Sequence, residues 1–554
     1  MAKALATGIR PSPTAAAAPA LTLAWTPAVL LAAFGGAFLA LAFPPRSFSL
    51  LAWVALAPLC LLCLRAASAT QAFWCGYLAG AIFFAADCPW VAYTVRRYGG
   101  LSPAEAGLVF LLFVALVGLF FALFTWGGYW LCRWAPWPWL TLPALWTGIE
   151  FLRTYVPFGG FPWDLVGYSQ ANQAGFMLSV TVAGVYGASF LILVENAVLA
   201  SAASHWSVWF RQPPQRGART GWAWPIIPAI LWFAVVGFAS FPFDPPQLQS
   251  ANLRAVLVQP NTGPSATWSD AAFMSYLDQL SRLSRPQPAT GDAAPALMLW
   301  PESPAPLEYA AEPQLQSAVA ALARSTRGEL VFGETALLRP SAPVGEQDPI
   351  NAARVIHPDG QPGARYAKRH LVPFGEYVPL PAWLQRWAGI RAMVSQVGNF
   401  VPGHRLTLFH LPAHDGAPGG YRFGTLICYE SIFPALARRD VRAGAEWLVN
   451  LSDDGWYGHS AARPQGLLMA RVRAMENRRW LLRDTNNGIT AIIDPFGRVT
   501  ARLPLDQVAA LHGSFAARTG ETFYTAHGDW LPWLCTIFAG LMLLIGGLRR
   551  RRAA

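Results

Sequence analysis

Glu302, Lys368 and Cys428 are the residues of this chain whose types, taken together, could carry an acyl group. Cys428 stands in Gly424-Thr-Leu-Ile-Cys-Tyr-Glu-Ser431 and is the one cysteine between about residues 244 and 529. With no disulfide partner in that stretch, it is either a buried filler or a nucleophile. A free thiol has a pKa of about 8.5 and reacts as its thiolate, so a nucleophilic cysteine needs a proton acceptor. A carboxylate can take the proton. An ammonium beside the sulfur favours the thiolate and stabilises the oxyanion of a tetrahedral intermediate. The cysteine then holds the acyl group as a thioester, which splits one hard transfer into two easier ones. Singly, each residue has a bland reading: a solvated loop Glu, a surface Lys beside Arg369, a core Cys behind Ile427.

No rival constellation competes. The chain has no H-E-x-x-H, no Walker-type loop and no G-x-S-x-G, and the soluble stretch has no C-x-x-C, so no metal or cofactor is expected. His357, His370 and His459 are alternative bases for Cys428, which would make a Cys–His hydrolase; spacing leaves that open.

The elements that must position these residues are short β-type runs alternating with helical stretches. Leu253–Gln259 reads as a strand and Phe273–Leu283 as an amphipathic helix. Ala296–Trp300 is a second apolar run, stopped by Pro301 just before Glu302. A helix around Leu315–Arg324 leads to a strand at Glu329–Gly333. Ala353–His357, a Pro358-Asp-Gly360 turn and Ala364–Lys368 form a hairpin that ends on the lysine. Tyr421–Ile427, Trp447–Leu451 and Ile489–Ile493 complete the strand set. This alternation predicts a layered α/β domain with its chemistry at strand ends.

The rest of the chain is built for a bilayer. Of 554 residues, 54% are hydrophobic and only 13% charged, which excludes an ordinary soluble globule. Apolar blocks long enough for about 30 Å of hydrocarbon, at roughly 20 residues each, lie near 24–43, 48–64, 72–95, 106–131, 138–155, 174–203, 222–243 and 530–548. Eight spanning helices are expected, seven before the soluble stretch and one after. Pro44-Pro45 also allows the first two blocks to form one kinked hairpin. Lys3 and Arg10 ahead of an Ala-rich stretch resemble a secretory signal, but the apolar run continues to about Phe43, so it is read as the first span.

Positive charges orient the series. Lys3, Arg10, Arg65, Arg133, Arg211, Arg216, Arg219 and Arg549–Arg552 fall on one side, and only Arg46, Arg96, Arg97 and Arg153 on the other. The positive-inside rule then puts both termini in the cytoplasm and the soluble domain across the membrane, the periplasm in a bacterium. The net charge of +11 therefore faces anionic lipid, and no nucleic-acid motif is present. Cys60-Leu-Leu-Cys63 reads as helix packing. Asp87, Glu150 and Glu195 are acids inside apolar blocks, expected to make helix-end or interhelical hydrogen bonds or to line a lipid route.

The order Glu302, Lys368, Cys428, with Cys-Tyr-Glu, resembles the carbon–nitrogen hydrolase (nitrilase) superfamily. Longer motifs sharpen this: Trp300-Pro-Glu302, Tyr366-Ala-Lys-Arg-His-Leu-Val-Pro-Phe-Gly-Glu-Tyr-Val-Pro379, Asn450-Leu-Ser-Asp-Asp-Gly-Trp-Tyr-Gly458, and, in the membrane part, Gly160-Phe-Pro-Trp163 with Gly167-Tyr-Ser-Gln170. Together they resemble the apolipoprotein N-acyltransferase family over nearly the whole chain.

The resemblance implies a polytopic α-helical membrane domain (residues 1–243), an α-β-β-α sandwich (244–529) and a last helix with a basic tail (530–554). It implies a monomer without a cofactor in the bacterial inner membrane. Its donor would be a phospholipid and its acceptor the N-terminal amine of a diacylglyceryl apolipoprotein. Glu302 would be the base, Lys368 the oxyanion stabiliser and Cys428 the nucleophile. Glu376 would orient the lysine, Tyr429 and Glu430 would support the cysteine, and Trp268 and Trp456 would contact substrate, though packing or interface anchoring explains these two as well. Asp453-Asp454 departs from the family's more frequent Asn-Asp, and the stretch around 339–349 reads as variable surface. The alternatives are a membrane-tethered amidase or nitrilase acting on a small substrate, and a transporter or lipid-binding protein with an inactive domain. Eight spanning helices favour lipid substrates, because a thiol serving two acylated molecules must sit at the bilayer surface.

Overall fold

The computed structural model describes residues 22–135, 137–209, 251–263, 268–285, 296–302, 307–339, 347–385, 399–412 and 419–553. In the first part, long apolar helices run with few charges: Trp25–Leu41, Ala57–Arg65, Ala69–Asp87, Pro103–Trp134, Pro138–Arg153 and Val180–Trp209. A further helix, Trp530–Ala553, closes the chain. Among the described residues, the helices Ala69–Asp87, Pro103–Trp134, Phe176–Ser204 and Trp530–Arg552 are long and apolar enough to cross a membrane; Trp25–Leu41 and Ser49–Arg65 are apolar but shorter. The span expected at 222–243 lies outside the described residues.

Small residues let these helices touch. A β-carbon on Gly36 would overlap the Ala79 backbone, and one on Gly76 would overlap Thr125. Cys60 and Cys63 are buried in the same packing, with Cys63 Sγ 3.8 Å from the Thr125 carbonyl oxygen. One boundary differs from expectation. The block expected at 72–95 breaks after Asp87, because Pro89 cannot donate to the helix, and Trp90–Tyr98 forms a separate amphipathic helix ending in Arg96 and Arg97.

The α/β part has two six-stranded sheets. One has the order β12-β1-β2-β3-β4-β5, with β1 Leu253–Gln259, β2 Leu297–Leu299, β3 Glu329–Leu337, β4 Pro349–Ile356, β5 Pro362–Ala367 and β12 Ala509–Phe515. The other has the order β11-β10-β9-β8-β7-β6, with β6 Phe409–Leu411, β7 Tyr421–Ile427, β8 Trp447–Ser452, β9 Leu481–Thr485, β10 Ala491–Ile493 and β11 Val499–Arg502. Both are mixed: β1-β2-β3 and β7-β8-β9 are parallel, and the outer strands are antiparallel.

The two-residue period of the strands sorts their side chains into layers. Leu257, Leu299, Ile427 and Val449 meet between the sheets. Val256, Val258, Met298 and Leu330 face the helices Asp270–Ser284 and Pro313–Thr326. Leu426, Leu448 and Leu481 face the helices Pro434–Arg442 and Ala462–Asn477, and this core is continuous with that of the membrane helices. The result is the expected α-β-β-α sandwich, one outer layer of which rests on the bundle.

Buried polar pairs fix that contact. Gln465, near the start of the Ala462–Asn477 helix, donates to Asp87 Oδ1 at 2.9 Å and accepts from Trp163 Nε1 at 2.9 Å. At the other end, Glu476 Oε1 accepts the Val185 N–H at 2.8 Å, where the long helix is broken at Ala183 and Gly184. Arg473 Nη2 donates to the same oxygen at 2.9 Å, and its Nη1 reaches the Ile432 carbonyl at 3.2 Å. Asp87 thus makes a hydrogen bond at its helix end, and Glu150 Oε1 accepts the Val166 N–H at 2.8 Å.

Removing one partner of a buried ion pair strands the other charge, at a cost of about 3–5 kcal/mol, whereas an exposed pair contributes about 0–1 kcal/mol. Arg473→Ala is therefore expected to lower the melting temperature of the purified protein in detergent by several degrees. Arg282→Ala, which breaks the exposed pair with Asp278, should leave it nearly unchanged. Equal, small shifts for both would mean that the docking contact does not depend on this pair.

Candidate active site

The carboxyl ends of the parallel strands converge on one cluster. Cys428 follows β7 directly, Asp453 follows β8, and Glu302 follows β2 after the Trp300-Pro301 stop. Lys368 follows β5. In the β4–β5 hairpin Ala352 pairs with Ala367, so the next pair is Asn351 and Lys368, joined by a Lys368 N–H to Asn351 carbonyl bond of 2.8 Å.

Lys368 Nζ lies 2.8 Å from Glu376 Oε1 and 3.3 Å from Glu302 Oε1, and its side chain is 1% exposed. Asn351 Nδ2 donates to both carboxylates, to Glu302 Oε1 at 2.8 Å and to Glu376 Oε1 at 2.7 Å. The remaining oxygens are held by backbone: Glu302 Oε2 accepts the Asp453 N–H at 3.0 Å, and Glu376 Oε2 the Val372 N–H at 2.8 Å. Burial alone would discharge the ammonium, but Glu302 and Glu376 outweigh it and hold the lysine pKa above the ordinary range.

Cys428 is buried, and its φ of +50° is a left-handed conformation costly for any residue with a β-carbon. The next residues of the turn hold that strain. Glu430 is fully buried and accepts from the N–H groups of Ile427 (2.8 Å), Arg369 (2.7 Å) and His370 (3.1 Å) and from the Tyr366 hydroxyl (2.7 Å). Ser431 Oγ donates to the Cys428 carbonyl at 3.0 Å. Burial, joined by the charge of Glu302, pushes the Cys428 thiol well above its ordinary value, and Lys368 only partly offsets this. The resting thiol is therefore neutral at physiological pH.

The three histidines have other partners. His357 Nδ1 sits 3.0 Å from Glu329, His459 pairs with Asp506 at 3.3 Å, and His370 packs on Phe433 with ring centroids 3.7 Å apart. Burial and the Lys368 charge lower His370 to about 4, so it is neutral. Tyr429 donates to the Gly160 carbonyl at 3.0 Å, tying the cysteine turn to a loop of the membrane part. Trp456 is 41% exposed beside the Trp90–Tyr98 helix, its ring 4.7 Å from Tyr98 and its carbonyl accepting from Thr94 at 2.8 Å. Trp268 packs edge-on against Tyr276 in the outer helix layer, 5.2 Å between centroids, outside the charged cluster. Asn351 and Tyr366 complete the hydrogen bonding of the site. Tyr366 opens the Tyr366–Pro379 motif, but its type alone suggests no role there, and an Asn opening a hairpin strand carries no sequence signal of its own.

Two family models cover most of the chain. Residues 35–198 match the apolipoprotein N-acyltransferase N-terminal domain, and residues 254–511 match carbon-nitrogen hydrolase. Over 526 residues the chain is 33% identical to the apolipoprotein N-acyltransferase of Geobacter metallireducens, covering 94% of this chain and 95% of that one. The chain belongs to the apolipoprotein N-acyltransferase family. The family's protein of the same name from Methylococcus capsulatus is 33% identical over 538 residues (95% of this chain, 97% of the other), and that of Pseudomonas aeruginosa 31% over 540 (95% and 96%). A solved amidase from Nesterenkonia sp. aligns with a TM-score of 0.34 and 18% identity over 50% of this chain and 94% of its own; the fold assignment rests on the family model instead.

Within this apolipoprotein N-acyltransferase family member, the two aspartates after Ser452 divide their work. Both carboxylate oxygens of Asp454 accept from Arg483 Nη2, at 2.9 and 2.8 Å. Asp453 Oδ1 accepts from the Gly455 N–H at 3.0 Å and Asn486 Nδ2 at 3.1 Å, both of which an asparagine carbonyl could equally accept. Burial raises the Asp453 carboxyl from 3.8 to about 7, opposed by the Asn486 bond and assisted by Glu302. Because the folded value is the higher one, folding takes up a proton between the two. Stability is full below the unfolded value and is lost as pH rises toward the folded one. Asp453→Asn should match the parent near pH 4 and exceed it by roughly 2–4 kcal/mol above pH 7. Melting temperatures that stay parallel from pH 4 to 8 would contradict this.

Proposed function

We propose that this protein transfers a fatty acyl chain from a phospholipid, through a thioester on Cys428, to the N-terminal amine of the diacylglyceryl-cysteine of apolipoproteins. The observation that carries the reading is the Glu302–Lys368–Glu376 cluster, with its buried ammonium, beside a buried thiol, in a domain whose outer layer rests on membrane helices. Lipoprotein acylation agrees with the family's name and with the apolar helices.

In the first half, Cys428 Sγ attacks the ester carbonyl of the phospholipid while Glu302 takes the thiol proton. Lys368 stabilises the oxyanion, and Glu376 and Asn351 hold it in place. Collapse of the intermediate breaks the bond to the glycerol oxygen, which leaves with the proton from Glu302. In the second half the acceptor amine, whose pKa of about 8 leaves part of it unprotonated at neutral pH, attacks the thioester. Glu302 takes the amine proton and returns it to the departing sulfur. One thiol serving both substrates gives ping-pong kinetics. An apolar surround that excludes water protects the thioester from hydrolysis.

In this reading the membrane domain is 1–243 with seven spans, the catalytic domain 244–529 is periplasmic, and 530–554 returns the chain to the cytoplasm, so that both termini lie on the cytoplasmic side of the bacterial inner membrane. Trp456 and Trp268 guide substrate, and the protein works as a monomer.

Mass spectrometry of the purified protein incubated with phospholipid tests this. A long-chain acyl adduct on Cys428 is expected, discharged by a diacylated lipopeptide. Glu302→Gln should slow its formation by roughly 10²–10⁴-fold, the usual contribution of a general base. Absence of the adduct together with ammonia release from small amides would instead make the protein a hydrolase.

A further inference from the structure

A charged cavity lies at the opposite end of the β7–β8 pair from the thiol. It has a volume of about 380 Å³, and its walls carry Arg422, Arg442, Arg479 and Arg518 against only Glu446 and Glu521. From Arg422 on its wall to Cys428 is six residues along β7, a span of about 20 Å at roughly 3.3 Å per residue.

Arg479 is occupied with the fold. Its Nε donates to the Ala445 carbonyl at 2.8 Å and its Nη2 to the Gly520 carbonyl at 2.7 Å. Among the described residues, the guanidinium groups of Arg422, Arg442 and Arg518 have no hydrogen-bond or ion-pair partner, and Arg422 lies over the bare backbone of Gly444. The crowding is felt: burial, with the neighbouring Arg518 charge, lowers both Arg478 and Arg479 to about 10. Three unpaired guanidinium forks around one cavity suit the oxygens of a phosphate group.

The cavity also adjoins the membrane. The Ala462–Asn477 helix touches the membrane helices near both its ends, through Gln465 to Asp87 and Glu476 to Val185, so it lies flat across them; Arg479 follows its last turn. Gly520 and Glu521 lead within ten residues into the Trp530–Ala553 span. Between and beside them Phe523, Trp530 and Trp533 are 49%, 36% and 56% exposed, an aromatic collar of the kind found at the headgroup layer.

We propose that this cavity binds the phosphate of a phospholipid headgroup in the adjoining leaflet, at a site separate from the thiol.

Native mass spectrometry of the full-length protein released from phosphatidylcholine nanodiscs, with and without phosphatidylglycerol, reads the result. The parent should retain phosphatidylglycerol. The double variant Arg442→Gln/Arg518→Gln should retain roughly thirty-fold less, taking about 1 kcal/mol per basic residue at a membrane surface. Thr519→Glu, which adds a negative charge to the exposed rim and leaves every arginine in place, should weaken retention as well. Melting temperatures of both variants verify that they are folded. Equal retention by the parent and both variants overturns the proposal. Unchanged lipid retention by the variants, together with weakened binding of inorganic phosphate, overturns it too, because the ligand would then be a free anion.

Discussion

A lysine ammonium buried at 1% exposure is the constraint around which the catalytic half is arranged. Taking such a charge out of water costs several kcal/mol unless opposite charges and hydrogen bonds replace the lost solvation. Here two carboxylates do so, and they in turn need donors, which Asn351 and the backbone of Val372 and Asp453 supply. These partners come from β4, from the segment after β5 and from the end of β8. The cluster therefore forms only when both sheets are in register, and the fold and the site are one requirement.

Burial, joined by the charge of Glu302, keeps the neighbouring thiol protonated. That is useful for a nucleophile that must wait between two large substrates, since a standing thiolate would be open to oxidation and to adventitious electrophiles. The left-handed Cys428 is held in place by Glu430 and Tyr366 on one side and, through Tyr429, by the Gly160 carbonyl on the other. The membrane part is thus more than an anchor: it contributes an acceptor one residue from the sulfur.

Much of this is legible in the amino-acid pattern. β1 and β7 begin and end where their apolar runs do, and the hairpin ending at Lys368 follows from its Pro-Asp-Gly turn. The elements that escape such a reading are written in charge rather than in apolar pattern. β9 is Leu481-Leu-Arg-Asp-Thr485, whose Arg483 and Asp484 read as loop but are buried, the arginine against Asp454. β12 carries His512, Gly513 and Ser514, and a strand pairing on one side with β1 at a sheet edge needs little apolar content. Asn351 is invisible for a different reason, since its role exists only through register with Lys368. The break after Asp87 is hidden because hydropathy averages over Cys88-Pro89.

The central claim, that burial and the charge of Glu302 hold Cys428 neutral until a substrate arrives, is tested most directly by the pH dependence of its alkylation. The rate for iodoacetamide on Cys428 of the intact protein in detergent, followed by peptide mass spectrometry, should be low at pH 7 and keep rising through the alkaline range without a plateau. A rate that has already levelled off by pH 7 would show a standing thiolate and contradict the account.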